Sequence, residues 1–239
     1  MVEASVLERR LNSVLSSNVD SEGKVDYSSL KADGTIEEFA SWLETFDRKS
    51  LETANEKIAF WINAYNMLVI NNTVKRLQKD PKYAETGNRS RSQRLTFFYR
   101  TKHKIGGRKY NLSQIEKVLR SAFDPRVHFA ICCASLSGPA LRNQLYTTEN
   151  LDSELDDAAK SFIRSRKGSR LDREERIIYL SAIFKWFRKD FEKTSGSISR
   201  FIEKYLKKED KNFMKANLSK IRVDFLPYDW GLNTKKIGK

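Results

Sequence analysis

The stretch IAFWINAYNMLVINNTVKRL, residues 58–77, constrains this chain more than any other. Apolar side chains fall nearly all round a helix as far as Ile70, and a helix that is apolar on every side has to be buried. Just before it, TANE at residues 53–56 has the form of a capping box. A Thr hydroxyl accepts from one free helix N–H, and a Glu three residues on takes another. The chain is therefore expected to be built round one central helix. Hydrophobic residues make up 39% of the 239 positions, enough for a sizeable core and too many for a disordered chain. That length predicts a single domain over residues 1–239.

The remaining elements follow from periodicity and breakers. Residues 6–15 and 36–46 read as amphipathic helices, with a turn at Gly23 and a short extended piece at 25–27 between them. Residues 79–109 are polar and strongly basic. They read as a long surface excursion with an extended segment at 95–99 and a turn at Gly106-Gly107. LSQIEKVLR, residues 112–120, is a short helix, and Asp124-Pro125 breaks the chain after it. Residues 127–133 form a continuous apolar run, His aside, and read as a strand. Helices are expected at 151–162, 181–191 and 197–208, with strands at 176–180 and 220–226. Helices outnumber strands without strict alternation, so the class is α+β, with several helices packed on a small, mainly antiparallel sheet.

The formal net charge of +14, from 45 Lys and Arg against 31 Asp and Glu, suits an anionic partner, and residues 82–109 are the segment to carry it. Because the acids are interspersed with the bases, the plainer reading is a soluble protein with a basic surface. Phe97, Phe98 and Tyr99 among those cations also raise binding to single-stranded nucleic acid, although no recognised nucleic-acid signature accompanies them. No window of 18 apolar residues exists, so no membrane span is expected. The N-terminus has no apolar signal region, and the two Cys are adjacent, which suits a reducing cytoplasm. Two His in all, with no metal-ligand or phosphate-loop spacing, give no reason to expect a metal or a cofactor.

Six segments then match a known pattern in order: VDYSSL (25–30), AFWINAYNMLVI (59–70), GGRKYNLSQIEKVLR (106–120), DPRVHFAICCASLSGPAL (124–141), FKWFRKDF (184–191) and YDWGLN (228–233). In this the chain resembles the domain-of-unknown-function family numbered 547, over a core of about residues 25–233. The resemblance implies one globular domain and names no activity. A fainter likeness to papain-like thiol hydrolases rests on Cys and His in one region. The chain departs from the family pattern at Gly138, where the family tends to have a second cysteine, and at Lys117, where it often has histidine. Chemistry in this chain therefore cannot need either group.

RVHFAICCASLSGP, residues 126–139, holds one His and both Cys, and here the resemblance turns Cys133 into the candidate nucleophile. A thiol is activated when a His, a cation or a helix N-terminus lowers its pKa. His128 is the candidate base and Glu116 its orienter, and N–H groups of the loop after Cys133 are candidate oxyanion donors. Each has a plainer role. Cys and His in an apolar run pack in cores, and Glu116 closes a capping box with Ser113. A strand would also hold His128 and Cys133 roughly 16 Å apart on opposite faces. Arg126, Asn63, Tyr65, Asn66 and Asp229 are candidate substrate-binding residues. Asn63 and Asn66 share a helix face and could equally hold a loop, and Asp229 could anchor the C-terminal segment. His103, at a basic turn, is a weaker candidate base. Two readings follow. One is a thiol hydrolase or acyl transferase on a small amide or peptide. The other is a non-catalytic binding or scaffold module with a basic surface.

Overall fold

The computed structural model describes residues 4–122, 124–217 and 220–235, so the first three residues of the N-terminal stretch lie outside it. Helices α1 (Ala4–Asn18), α2 (Tyr27–Asp33) and α3 (Thr35–Thr45) lead into the central helix α4 (Ala54–Lys79). The expected capping box is present: Thr53 Oγ1 accepts from Glu56 N at 3.2 Å, and Glu56 Oε2 accepts from Thr53 N at 2.8 Å. Helix α4 is buried continuously from Ala64 to Thr73. Each fully buried large apolar side chain there adds about 1.5–3 kcal/mol relative to leaving it in water.

The basic excursion is largely helical. Two short helices, α5 (Tyr83–Thr86) and α6 (Arg91–Arg94), are followed by a π-helical turn over Leu95–Arg100 that carries α6 onward. The expected extended segment at 95–99 is therefore wrong. Ser90 and Gln93 form a capping box that starts a helix there, and burial of Phe97 and Phe98 holds it against the core. That burial also removes two of the three aromatic side chains that a nucleic-acid reading needs. Strands β1 (His103–Ile105) and β2 (Arg108–Tyr110) pair antiparallel across Gly106-Gly107, both at positive φ, as a tight hairpin requires.

Helix α7 (Leu112–Arg120) packs on α4. Its capping box is Asn111 with Gln114, not Ser113 with Glu116. The run at 127–133 is not a strand. Val127–Ala130 is one helical turn, α8, and the chain is extended only from Ile131. Asp124 Oδ1 takes Arg126 N at the start of this turn. The Asn66 side chain, from α4, donates to Ala130 O at 3.0 Å and accepts from Cys132 N at 2.8 Å. One amide side chain thus satisfies the backbone groups that a neighbouring strand would otherwise have satisfied.

The C-terminal part runs α9 (Leu151–Arg164), β3 (Ser169–Asp172), β4 (Ile177–Leu180), α10 (Ala182–Trp186), α11 (Arg188–Ser195), α12 (Ile198–Glu203), α13 (Lys208–Ala216) and β5 (Arg222–Phe225). Strand β4 lies between β3, antiparallel, and β5, parallel. The class is α+β, with the two small sheets set beside helix-on-helix packing. Two clusters of buried side chains form the interior. One surrounds α4, and the other is an aromatic group around Phe129, Phe184, Phe191 and Phe201. Helix α8 joins them, since Phe129 belongs to the second while Val127 and Ala130 belong to the first.

The last described segment straps these parts together. Asn233 is buried; its side chain donates to Gly23 O at 3.1 Å and accepts from the Tyr27 hydroxyl at 2.6 Å. Leu136 N donates to Gly231 O, Ser137 N to Asp229 O, and Asn88 N to Trp230 O. Gly87 lets the strap pass, since a Cβ there would lie 2.5 Å from Leu232 N.

Candidate active site

Cys133 ends the extended piece that Asn66 anchors. Ala134 follows at φ 54, a left-handed conformation that a residue with a Cβ adopts at a cost of about 1–2 kcal/mol. This turns the chain sharply and leaves the Cys133 side chain at the wall of a cavity of about 730 Å³. Its Sγ lies 3.0 Å from Ser135 Oγ and 3.0 Å from Tyr228 Oη, and those two hydroxyls are 2.8 Å apart. Burial pushes the Cys133 thiol pKa up, and the two hydroxyl groups partly offset this. Cys132 is buried, with its thiol pushed up to about 12.

Three of the loop N–H groups are taken up by backbone hydrogen bonds. Those of Leu136, Ser137 and Gly138 donate to Gly231 O, Asp229 O and Ser135 O. The polar groups beside the sulfur are the hydroxyls of Ser135 and Tyr228. Gly138 makes their triangle possible, because a Cβ there would lie 2.8 Å from Ser135 Oγ, 3.0 Å from Tyr228 Oη and 3.1 Å from Cys133 Sγ.

His128 borders the same cavity. Its Nε2 lies 2.9 Å from Asp190 Oδ2, and Arg120 holds that carboxylate from the other side with Nε at 2.7 Å and Nη2 at 3.1 Å. The ring stacks on Phe187, centroids 4.1 Å apart. The hydrogen bonds from His128 and Arg120 keep the Asp190 carboxyl well below the usual carboxylate range. Burial lowers the His128 pKa despite Asp190, so the ring is neutral near pH 7. An ionised carboxylate can only accept, so the ring proton sits on Nε2 and Nδ1 keeps a lone pair. That Nδ1 is buried and has no hydrogen-bond partner.

Glu116, released from capping, also lines the cavity, and burial raises its carboxyl pKa to about 7. It makes no hydrogen bond to His128; the carboxylate partner of that ring is Asp190. Tyr65 is on the cavity wall. The other candidates hold structure. Arg126 binds Asp124, Asp152 and Asp156. Asn63 bonds both backbone groups of Tyr146. Asp229 pairs with Arg89 and accepts from Gly231 N. His103 faces Asn72, its pKa pushed down to about 4 by burial. Among the described residues no cluster of three or more His, Cys, Asp or Glu is placed to hold a metal ion, and no helix is long and apolar enough to cross a membrane.

Thus the structure gathers Cys133, His128, Glu116 and Tyr65 from four separate elements. The sequence reading missed Asp190, Arg120, Ser135 and Tyr228. Asp190 and Tyr228 lie in segments the reading had marked, FKWFRKDF and YDWGLN, but nothing local tied either to a residue 62 or 95 positions earlier.

Residues 49–163 match the model of a family described as Protein of unknown function, DUF547. Over that stretch, a little under half of the chain, the protein is similar to this family. No curated protein and no solved structure matches the chain, so the papain-like likeness gains no support. The DUF547 match runs from before α4 to the end of α9. It holds Tyr65, Glu116, Arg120, His128 and Cys133, while Asp190, Trp186, Tyr228 and Trp230 lie beyond it.

Proposed function

We propose that this cavity is a thiol-dependent acyl-transfer site, a hydrolase or acyl transferase acting on a small amide or peptide. The observation that carries the reading is the unpartnered Nδ1 of a neutral His128 on the same cavity as Cys133, with Nε2 held by Asp190 and Arg120. A base held by a carboxylate beside a nucleophile is the logic of catalytic triads on unrelated folds. As Sγ bonds to the substrate carbonyl carbon, its proton passes to His128 Nδ1 and Asp190 balances the imidazolium. The carbonyl oxygen takes the negative charge and accepts from the Tyr228 and Ser135 hydroxyls. The carbon–nitrogen bond then breaks, the leaving amine takes the proton from His128, and a thioester remains on Cys133. Water or a second nucleophile, losing its proton to the same Nδ1, releases the acyl group. Glu116, near pH 7 split between its two forms, is a further proton carrier at the wall.

The test is the rate of iodoacetamide alkylation of Cys133 against pH, in a Cys132→Ser background. With His128 present, the rate is expected to rise with a midpoint below about 6.5 and to level off at neutral pH. With His128→Ala, the midpoint moves above about 8.5, where a buried thiol titrates by itself. Equal profiles for the two proteins, or no reaction until the protein unfolds, would overturn the reading and favour a non-catalytic binding module.

A further inference from the structure

The mouth of the cavity is built unlike the rest of the surface. Four large apolar side chains stand exposed among the described residues, and three of them, Leu95, Tyr99 and Trp186, line this one opening. Trp186 stacks on Trp230 with centroids 5.7 Å apart and planes 21° apart, which gives one side a flat aromatic wall. The helix that starts at α6 borders the same opening, and its residues 91, 94, 95 and 98 follow helical spacing and all line the cavity.

Two of those residues are arginines without a carboxylate. Arg94 lies over the Trp230 ring, its guanidinium carbon 5.2 Å from the centroid, and gives its hydrogen bonds to the carbonyls of Asn88 and Arg89. The Arg91 side chain makes no hydrogen bond or ion pair with any described residue. In contrast, Arg89 and Arg120 nearby are each paired with an aspartate. Among the described residues, Glu116 is the only acid bordering the cavity. An uncompensated pair of guanidinium groups at the rim of an apolar cleft attracts and orients anions, because the low-dielectric walls focus the field.

We propose that the cavity is specific for an anionic acyl compound. Its flat apolar body lies against Trp186 and Trp230, its carboxylate or phosphate meets Arg91 and Arg94 at the mouth, and its acyl carbon reaches inward to Cys133. The acyl part rests on the thiol reading above; the anion and aromatic parts do not.

Binding is therefore measured in a Cys133→Ser protein, where no turnover occurs. Hippurate, a benzoyl amide with a carboxylate, and its neutral counterpart hippuramide are titrated while tryptophan fluorescence and calorimetric heat are followed. Phenyl phosphate and phenol form the second pair, which separates phosphate from carboxylate recognition. At least one anion is expected to bind tenfold or more tightly than its neutral counterpart. Arg91→Gln, an exposed position, should remove most of that difference without changing the affinity of the neutral compound. Trp186→Ala should weaken both members of a pair. If neither anion binds more tightly than its neutral counterpart, or if Arg91→Gln leaves the preference intact, the proposal is overturned. Anion-selective binding together with a failed alkylation test would remove the thiol chemistry and leave this site standing.

Discussion

Around the Cys133 sulfur, space is set by the side chain that residue 138 lacks. In a disulfide, each Cβ lies about 3 Å from the partner sulfur, because the S–S bond is about 2.05 Å. A Cβ at residue 138 would lie 3.1 Å from Cys133 Sγ. Gly138→Cys should therefore close a disulfide with Cys133 on mild oxidation. Mass spectrometry should show the loss of two hydrogens, and Cys133 should stop reacting with iodoacetamide until a reductant is added. Two persistent free thiols would contradict the geometry. Glu116 gives a second prediction at this scale. A carboxyl whose pKa rises on folding favours the folded state through its protonated form. For Glu116 that contribution is complete below about pH 4.5 and is lost as pH rises through about 7. Glu116→Gln should match the wild type near pH 4 and exceed it at pH 8 by about 3 kcal/mol. Urea unfolding at the two pH values checks this, and an equal difference at both would mean that the carboxyl is not perturbed. At residue scale the sequence singled out Cys133, His128 and Glu116 by type and neighbourhood. It could not show that Asp190 would take the role expected of Glu116, because hydrogen-bond partners 62 positions apart leave no local trace.

At the scale of elements, α4 and α8 mark the two extremes of legibility. Almost everything that makes α4 a helix is local: its capping box, its length and apolar residues on nearly every side. The turn at α8 draws its stabilising bonds from Asn66, which sits 64 positions before Ala130 and 66 before Cys132. β-Branched and aromatic residues made that run look like a strand, and tertiary hydrogen bonds overrode the preference. Asn66→Ala leaves two buried backbone groups unpaired, each worth about 1–3 kcal/mol. A loss of about 2–4 kcal/mol in denaturant unfolding is expected, with faster alkylation of Cys132, whose segment is released. A loss below about 0.5 kcal/mol would mean that water replaces the amide without penalty. The stretch at 95–100 was misread for a related reason. Its charge suggested solvent, while Phe97 and Phe98 turn inward from the same helix whose Arg91 and Arg94 reach the cavity mouth.

Over the whole molecule, the cavity depends on parts of the chain that meet only in the finished fold. Tyr228 and Trp230 come from the strap, and the strap also binds Gly23, Val25 and Tyr27 near the start of the described chain. Ending the chain after Leu226 should remove more than the cavity wall. A cooperative thermal transition should be lost or fall by more than about 10 °C, and both cysteines should alkylate rapidly. A transition within about 2 °C of the full chain would show that the strap is an accessory. The overall class and the central helix were legible in the sequence because both follow from apolar content and its period. The strap was not, since its partners, backbone and side chain alike, lie about 90–210 positions earlier and leave no local trace.

The strap also puts the site on a clock. Tyr228 follows Cys133 by 95 residues. At a synthesis rate of about 5–20 residues per second, roughly 5–20 s pass between the emergence of the sulfur and that of the hydroxyl that covers it. During that interval the two neighbouring thiols meet the surrounding oxidants and electrophiles without their final shelter. Damage at Cys133 should therefore track the speed at which the chain is made more closely than the age of the folded molecule.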